Sequence, residues 1–139
     1  MPEQIFDACT ENLPQVNAFV CEKLESWDCS MRAQMQLEVA VEELFVNIAS
    51  YAYPEKQETG SFGRVEIAID LLPDRMAEIV FKDSGIPYNP LEKPDPDVTK
   101  PAEERPIGGL GIYLVKKSVD EVRYCYENGQ NILTIRKKI

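Results

Sequence analysis

Six of the ten prolines in this chain fall between residues 84 and 107, at Pro87, Pro90, Pro94, Pro96, Pro101 and Pro106. Proline lacks a backbone N–H and fixes φ, so neither a helix nor a central strand survives that density. The chain is thereby split into two structured parts joined by a long irregular connection. A loop of this length inside a compact domain is usually functional, often a lid over a site. Its downstream end is also unusual, because Gly108, Gly109 and Gly111 stand at the entrance of an apolar helical pattern. Glycine destabilises a helix by about 1 kcal/mol relative to alanine. Three of them at a helix entrance mark a place where something approaches the backbone closely.

On either side of the loop the periodicities are regular. Residues 3 to 9 read as a short strand. Pro14 suits a first helical turn, and Val16, Phe19, Val20 and Leu24 follow at helical spacing. Ser30 is the expected N-cap of a second helix running to about Tyr51 and ended by Pro54. Val65, Ile67, Ile69 and Leu71 alternate with the period of a half-buried strand, Pro73-Asp74 turns the chain, and residues 76 to 83 return as its hairpin partner. After the loop come a helix to about Ser118 and a hairpin of strands 121–127 and 131–137, turned at Asn128-Gly129. The order β-α-α-β-β-loop-α-β-β predicts an α+β fold: a two-layer α/β sandwich whose mostly antiparallel sheet carries helices on one face. Its 139 residues fit one domain, residues 1–139, with the loop at 84–107 as a lid.

Composition removes several classes of function. A net charge of −9 opposes binding to nucleic acid or to an anionic membrane. No apolar run approaches the roughly 20 residues of a membrane span, and the first residues lack the pattern of a signal peptide. Cys9, Cys21, Cys29 and Cys125 match neither CxxC nor a zinc spacing, and read as reduced thiols. A cytoplasmic protein is therefore expected. The chain has no histidine, so a Ser-His-Asp triad, a Cys-His pair and a phosphohistidine are excluded, and any catalytic base is a carboxylate or a lysine.

Three short constellations carry chemistry. In EELFVNIASYAY, Glu43 and Asn47 are four apart and share a helix face with Val39 and Ser50, a face free to open onto a cavity. An asparagine oxygen suits a magnesium ion that keeps several waters, and a carboxylate one turn away can accept a proton from a hydroxyl. Glu42 lies about 100° around the helix and cannot share that face, so Glu43 is the candidate base. In FKDSGIPYNP, Asp83 closes a strand, where it can accept from an exocyclic amine such as that of adenine, and Gly85 lets a flat ring lie against the backbone. In RPIGGLG, the free N–H groups and macrodipole of a helix entrance favour phosphate at Gly108, Gly109, Leu110 and Gly111. Arg105 lies within reach of a terminal phosphate. Neither GxxxxGK[ST] nor GxGxxG is present.

In this order the three boxes resemble the Bergerat-fold ATPases, the superfamily of gyrase, heat-shock chaperone and sensor histidine kinase ATP domains. The phrases NLPQVNAFV, LEVAVEELFVNIASYAY, FKDSGIPYNP and RPIGGLGIYLVKKSVDEVRY are similar to the small bacterial anti-sigma factor serine kinases, over nearly the whole chain. The resemblance implies ATP and magnesium as cofactors, Asn47 as the magnesium ligand and Glu43 as the base toward a partner serine or threonine. It implies Asp83 and Gly85 at adenine, residues 84–107 as the ATP lid, and Arg105 and the glycines at the phosphates. It further implies an anti-sigma antagonist and a sigma factor as partners, and a homodimer through the N-terminal strand and first helix. The chain departs from the superfamily at the later glycine-threonine box, where Gly129 and Thr134 are a strand's worth of residues apart and Thr134 is the expected adenine contact. Tyr51 stands where some relatives carry histidine, and the loop is rich in proline and acidic residues. A nucleotide-sensing partner-switch module without kinase activity, or a detached histidine-kinase catalytic domain, would use the same boxes.

Overall fold

The structure, a computed structural model, describes residues 3–92 and 109–139. The elements are strand β1 (Glu3–Asp7), helices α1 (Leu13–Ser26), α2 (Met31–Tyr51) and α3 (Pro54–Glu58), strands β2 (Arg64–Leu72) and β3 (Met76–Asp83), helix α4 (Gly109–Ser118), and strands β4 (Glu121–Glu127) and β5 (Gln130–Lys138). The five strands form one sheet in the order β1-β2-β3-β5-β4, every neighbouring pair antiparallel. The sheet and the helices α1, α2 and α4 share one apolar core, the α+β arrangement expected from the periodicities.

Local chemistry explains most boundaries. Pro14 sits in the first turn of α1, where its missing N–H removes no helical bond. Ser30 caps α2, its Oγ accepting from Ala33 N at 3.2 Å. Val16, Val20 and Leu24 on α1 and Leu37, Val41 and Leu44 on α2 are buried at helical spacing, facing Val65, Ile67 and Ile69 of β2 and Ile79 and Phe81 of β3. Each such side chain contributes roughly 1.5–3 kcal/mol on full burial. The structure corrects three boundaries. The first strand stops at Asp7, where Cys9 N turns back to Asp7 O; β5 begins at Gln130; and Pro54, expected only to end a helix, also opens α3 as its first residue. Of the expected loop at 84–107, residues 93–107 lie outside the described residues.

Two straps fix the site. The last turn of α2 is tied to the end of β3: Ala52 O accepts from Ile86 N at 2.9 Å, and the Tyr53 hydroxyl accepts from Ser84 N at 2.8 Å while donating to Arg64 O. On the other side, α4 packs along α2 and brings Gly111 against Glu43. Residues far apart in sequence thus line two cavities that share Asn47 and Tyr51.

Candidate functional site

Two adjoining cavities share Asn47 and Tyr51. The first, about 420 Å³, lies between α2 and the ends of β3 and β5; Leu44, Ile48, Phe81 and Leu133 form apolar walls around Asp83 and Asn131. Mostly apolar walls around a few polar groups are the lining of a small-molecule pocket. The second, about 440 Å³, is lined by Glu43, Val46, Asn47, Ser50, Tyr51, Gly111 and Ile112. Asn47 therefore faces both, as the spacing in EELFVN predicts. Val39, expected on the same face, is 40% exposed and lines neither cavity.

Asp83 and Asn131 are the two buried polar side chains among the described residues, at 5% and 6% exposure. They stand directly opposite each other in the β3–β5 register. Asp83 Oδ1 accepts from Asn131 Nδ2 at 2.9 Å and from Gly85 N at 2.9 Å. Burial pushes the Asp83 carboxyl above the ordinary carboxylate range, and those two bonds pull the other way. Neither bond engages Oδ2, which remains an acceptor in an apolar pocket. Such a group selects a ligand with an N–H to donate.

The glycine of this box also has a packing role. A Cβ on Gly85 would lie 2.7 Å from the carbonyl carbon of Ala52 and closer still to its oxygen. Gly85 lines a different, open depression beside Tyr53 and not the Asp83 cavity. Its missing side chain allows β3 to pass the end of α2, and its N–H orients Asp83. Thr134 is also placed elsewhere. Asn131, Leu133 and Ile135 face the core, so the strand's period of two turns Thr134 to the opposite face, away from the cavity.

At the other end, Glu43 is half-buried while Glu42 is exposed and lines neither cavity. Burial, and then the charge of Glu42, raise the Glu43 carboxyl above its ordinary value. A Cβ on Gly111 would stand 2.5 Å from Glu43 Oε2, so glycine there makes room for the carboxylate. Gly109 and Leu110 open α4, and a helix entrance is where backbone N–H groups favour an anion. Arg105 and Gly108 lie outside the described residues. Among the described residues no three His, Cys, Asp or Glu cluster to cage a metal. The neutral Asn47 amide fits a magnesium ion held mainly by phosphates and water, which needs only one or two protein ligands.

Asn131, Tyr88 and Tyr124 were not singled out from the sequence. The available signal was an asparagine occupying the first inward position of the alternation Asn131, Leu133, Ile135. Tyr51, at the junction of the cavities, leans on Tyr88 with ring centroids 6.3 Å apart.

A family model described as the histidine kinase-like ATPase domain matches residues 6–137. Serine-protein kinase RsbW of Bacillus cereus (strain AH187) is 32% identical over 101 residues, covering 70% of this chain and 59% of the relative; RsbW of Bacillus mycoides (strain KBAB4) matches to the same extent. The chain spans about 59% of the length of the curated relatives it matches. Among solved structures, the RsbU and RsbW domains of Rv1364c from Mycobacterium tuberculosis superpose with a TM-score of 0.67 at 17% identity, over 99% of this chain and 32% of that one. The mycobacterial sensor histidine kinase MprB gives 0.52 at 18% identity, over 99% of this chain and 100% of that one. At these identities both show the fold.

Proposed function

We propose that this chain, which belongs to the histidine kinase-like ATPase domain family, is an ATP-dependent serine/threonine protein kinase acting as an anti-sigma regulatory factor. It phosphorylates an anti-sigma antagonist and sequesters a sigma factor. The observation that carries the reading is the joining of two cavities through Asn47, with a buried carboxylate at one end and a half-buried one at the other. The names of the serine-protein kinase relatives support the same substrate class.

In this reading the apolar cavity takes adenine, and Asp83 accepts from its exocyclic amine. Guanine presents a carbonyl oxygen at that position and meets the carboxylate with repulsion, so ATP is preferred over GTP. The phosphates extend past Asn47 toward the entrance of α4, where N–H groups and the helix dipole receive them. Magnesium, when bound, neutralises phosphate charge, and Asn47 offers it an amide oxygen. Glu43 accepts the proton of the acceptor hydroxyl as that oxygen forms its bond to the γ-phosphorus and the bond to the ADP oxygen breaks. The elevated Glu43 pKa brings it nearer the working pH and makes it a stronger base. Most of the remaining demand on the protein is positioning. The phosphorylated antagonist carries close to two extra negative charges, and a chain of net charge −9 rebinds it poorly.

Calorimetry with ATP, with and without magnesium, on the parent and on Asn47→Ala tests the site. Incubation of γ-labelled ATP with a serine-bearing antagonist domain, using the parent and Glu43→Ala, tests the chemistry. Magnesium-dependent binding lost in Asn47→Ala, and transfer lost in Glu43→Ala with ATP still bound, are expected. Binding without transfer would replace the kinase by a nucleotide-sensing partner switch. Absence of ATP binding would overturn both.

A further inference from the structure

We infer that Asn131 is the positioning residue of the base-recognition end: it locks the Asp83 carboxylate and the backbone of residues 86–88 into one arrangement, so that selection of an amino-bearing base depends on it. The inference rests on reading the apolar cavity as a nucleotide site.

An asparagine amide has two N–H donors and an oxygen with two lone pairs. Here every one is used. Nδ2 donates to Asp83 Oδ1 at 2.9 Å and to Ile86 O at 2.8 Å; Oδ1 accepts from Tyr88 N at 3.1 Å and from the Tyr124 hydroxyl. Asn131 therefore lines the cavity without hydrogen-bonding capacity left for a ligand. Its orientation is also determined. A flipped amide would set its NH₂ against the Tyr88 N–H and its oxygen against the Asp83 carboxylate, two repulsive pairs in a buried site. The four partners come from three separate segments: the end of β3, the turn that follows it, and β4. With Oδ1 of Asp83 held by Asn131 and Gly85, the carboxylate cannot rotate freely, and Oδ2 keeps a defined direction for an incoming amine.

No other residue type reproduces this. Aspartate keeps the shape but loses both donors and places a second carboxylate beside Asp83. Leucine removes all four bonds and takes the Asn131 partner from the Ile86 carbonyl and the Tyr88 amide.

Calorimetry would compare magnesium-ATP with magnesium purine riboside triphosphate, the same nucleotide without the 6-amino group. The parent prefers ATP. Asn131→Asp at pH 8 lowers ATP affinity about tenfold or more, the scale of one hydrogen bond to a charged group, while the amine-free nucleotide moves by less than about twofold. At pH 5.5 ATP affinity relative to the parent recovers in part, because two facing carboxyls share one proton and the protonated one donates again. Tyr124→Phe, which deletes one bond and keeps the ring, lowers ATP affinity about threefold with the same selectivity and covers a folding failure of the first variant. Equal losses for both nucleotides with no recovery at pH 5.5, or unchanged ATP affinity, would overturn the inference while parental ATP binding stands. Failure of the parent to bind either nucleotide would overturn the nucleotide reading and the inference together. Hydrogen exchange at the Tyr88 amide gives a readout without nucleotide: in Asn131→Leu it accelerates about tenfold or more while β2 amides stay protected, and unchanged protection at Tyr88 would refute the lock.

Discussion

Gly111→Ala separates stability from chemistry at the phosphate end. The added Cβ would stand 2.5 Å from Glu43 Oε2, with Glu43 Cδ next at 3.5 Å and Glu43 Cβ at 4.0 Å. Only the carboxylate oxygen is too close, and restoring ordinary contact moves it by about 0.9 Å. A glutamate terminus can make that move by torsion, since its last dihedral is broad. Alanine also favours the helix by up to about 1 kcal/mol over glycine. The melting temperature is therefore expected to stay level or rise by about 3 °C. Transfer should suffer, because a misplacement on the order of 1 Å can slow a reaction by as much as about 10²-fold. A single-turnover rate lower by about tenfold to hundredfold follows, or roughly 1.4–2.7 kcal/mol of barrier. The assay is rapid-quench transfer from labelled ATP to a saturating antagonist domain. It is paired with calorimetry, because Gly111 also adjoins the proposed phosphate path. The decisive comparison is a double-mutant cycle. Once Glu43→Ala has removed the carboxylate, Gly111→Ala should cause no further loss in rate. Additive losses, or a parental rate in Gly111→Ala with ATP affinity unchanged, would show that Glu43 is not the positioned base.

Gly85→Ala should destabilise the fold by about 2 kcal/mol or more, since its Cβ meets the Ala52 backbone, which cannot swing aside; a urea midpoint within error of the parent would contradict the close pass. Asp83→Asn should raise the melting temperature at neutral pH while weakening ATP binding, because the buried carboxylate is disfavoured there. The sign follows from linkage: the folded pKa of Asp83 is raised, so its stabilising contribution is present below the unfolded value and lost as pH rises through the folded one. The variant's stability should depend less on pH over that window, and a parallel pH profile in parent and variant would count against the burial of that charge. Burial, and a hydrogen bond to Glu38 at 2.8 Å, push the Cys21 thiol up to about 12. Iodoacetamide at pH 8 should modify exposed Cys125 at least roughly tenfold faster than Cys21, and equal rates by mass spectrometry would refute that environment.

The architecture was legible because its signals are local. Apolar spacing, the Ser30 cap and the Asn128-Gly129 turn each act over a few residues, and together they yield the strands and the long helices. Glu43 and Asn47 line one cavity for an equally local reason, being one turn apart on a single helix. Helix α3 was missed because a proline that ends one helix is equally suited to begin the next.

The sequence by itself determined which residue types are available: a carboxylate and an amide on one helix face, an aspartate at a strand end, glycines at a helix entrance, and no histidine anywhere. Tertiary structure alone decided which of these meet. The β3–β5 register, set by matching apolar faces across residues about fifty apart in sequence, places Asn131 against Asp83 and turns Thr134 outward. The approach of β3 to the end of α2 assigns Gly85 to a backbone crossing, and the packing of α4 on α2 gives Gly111 its place beside Glu43. Pairing across such distances depends on the burial of the whole sheet face, and no short stretch of sequence contains that information.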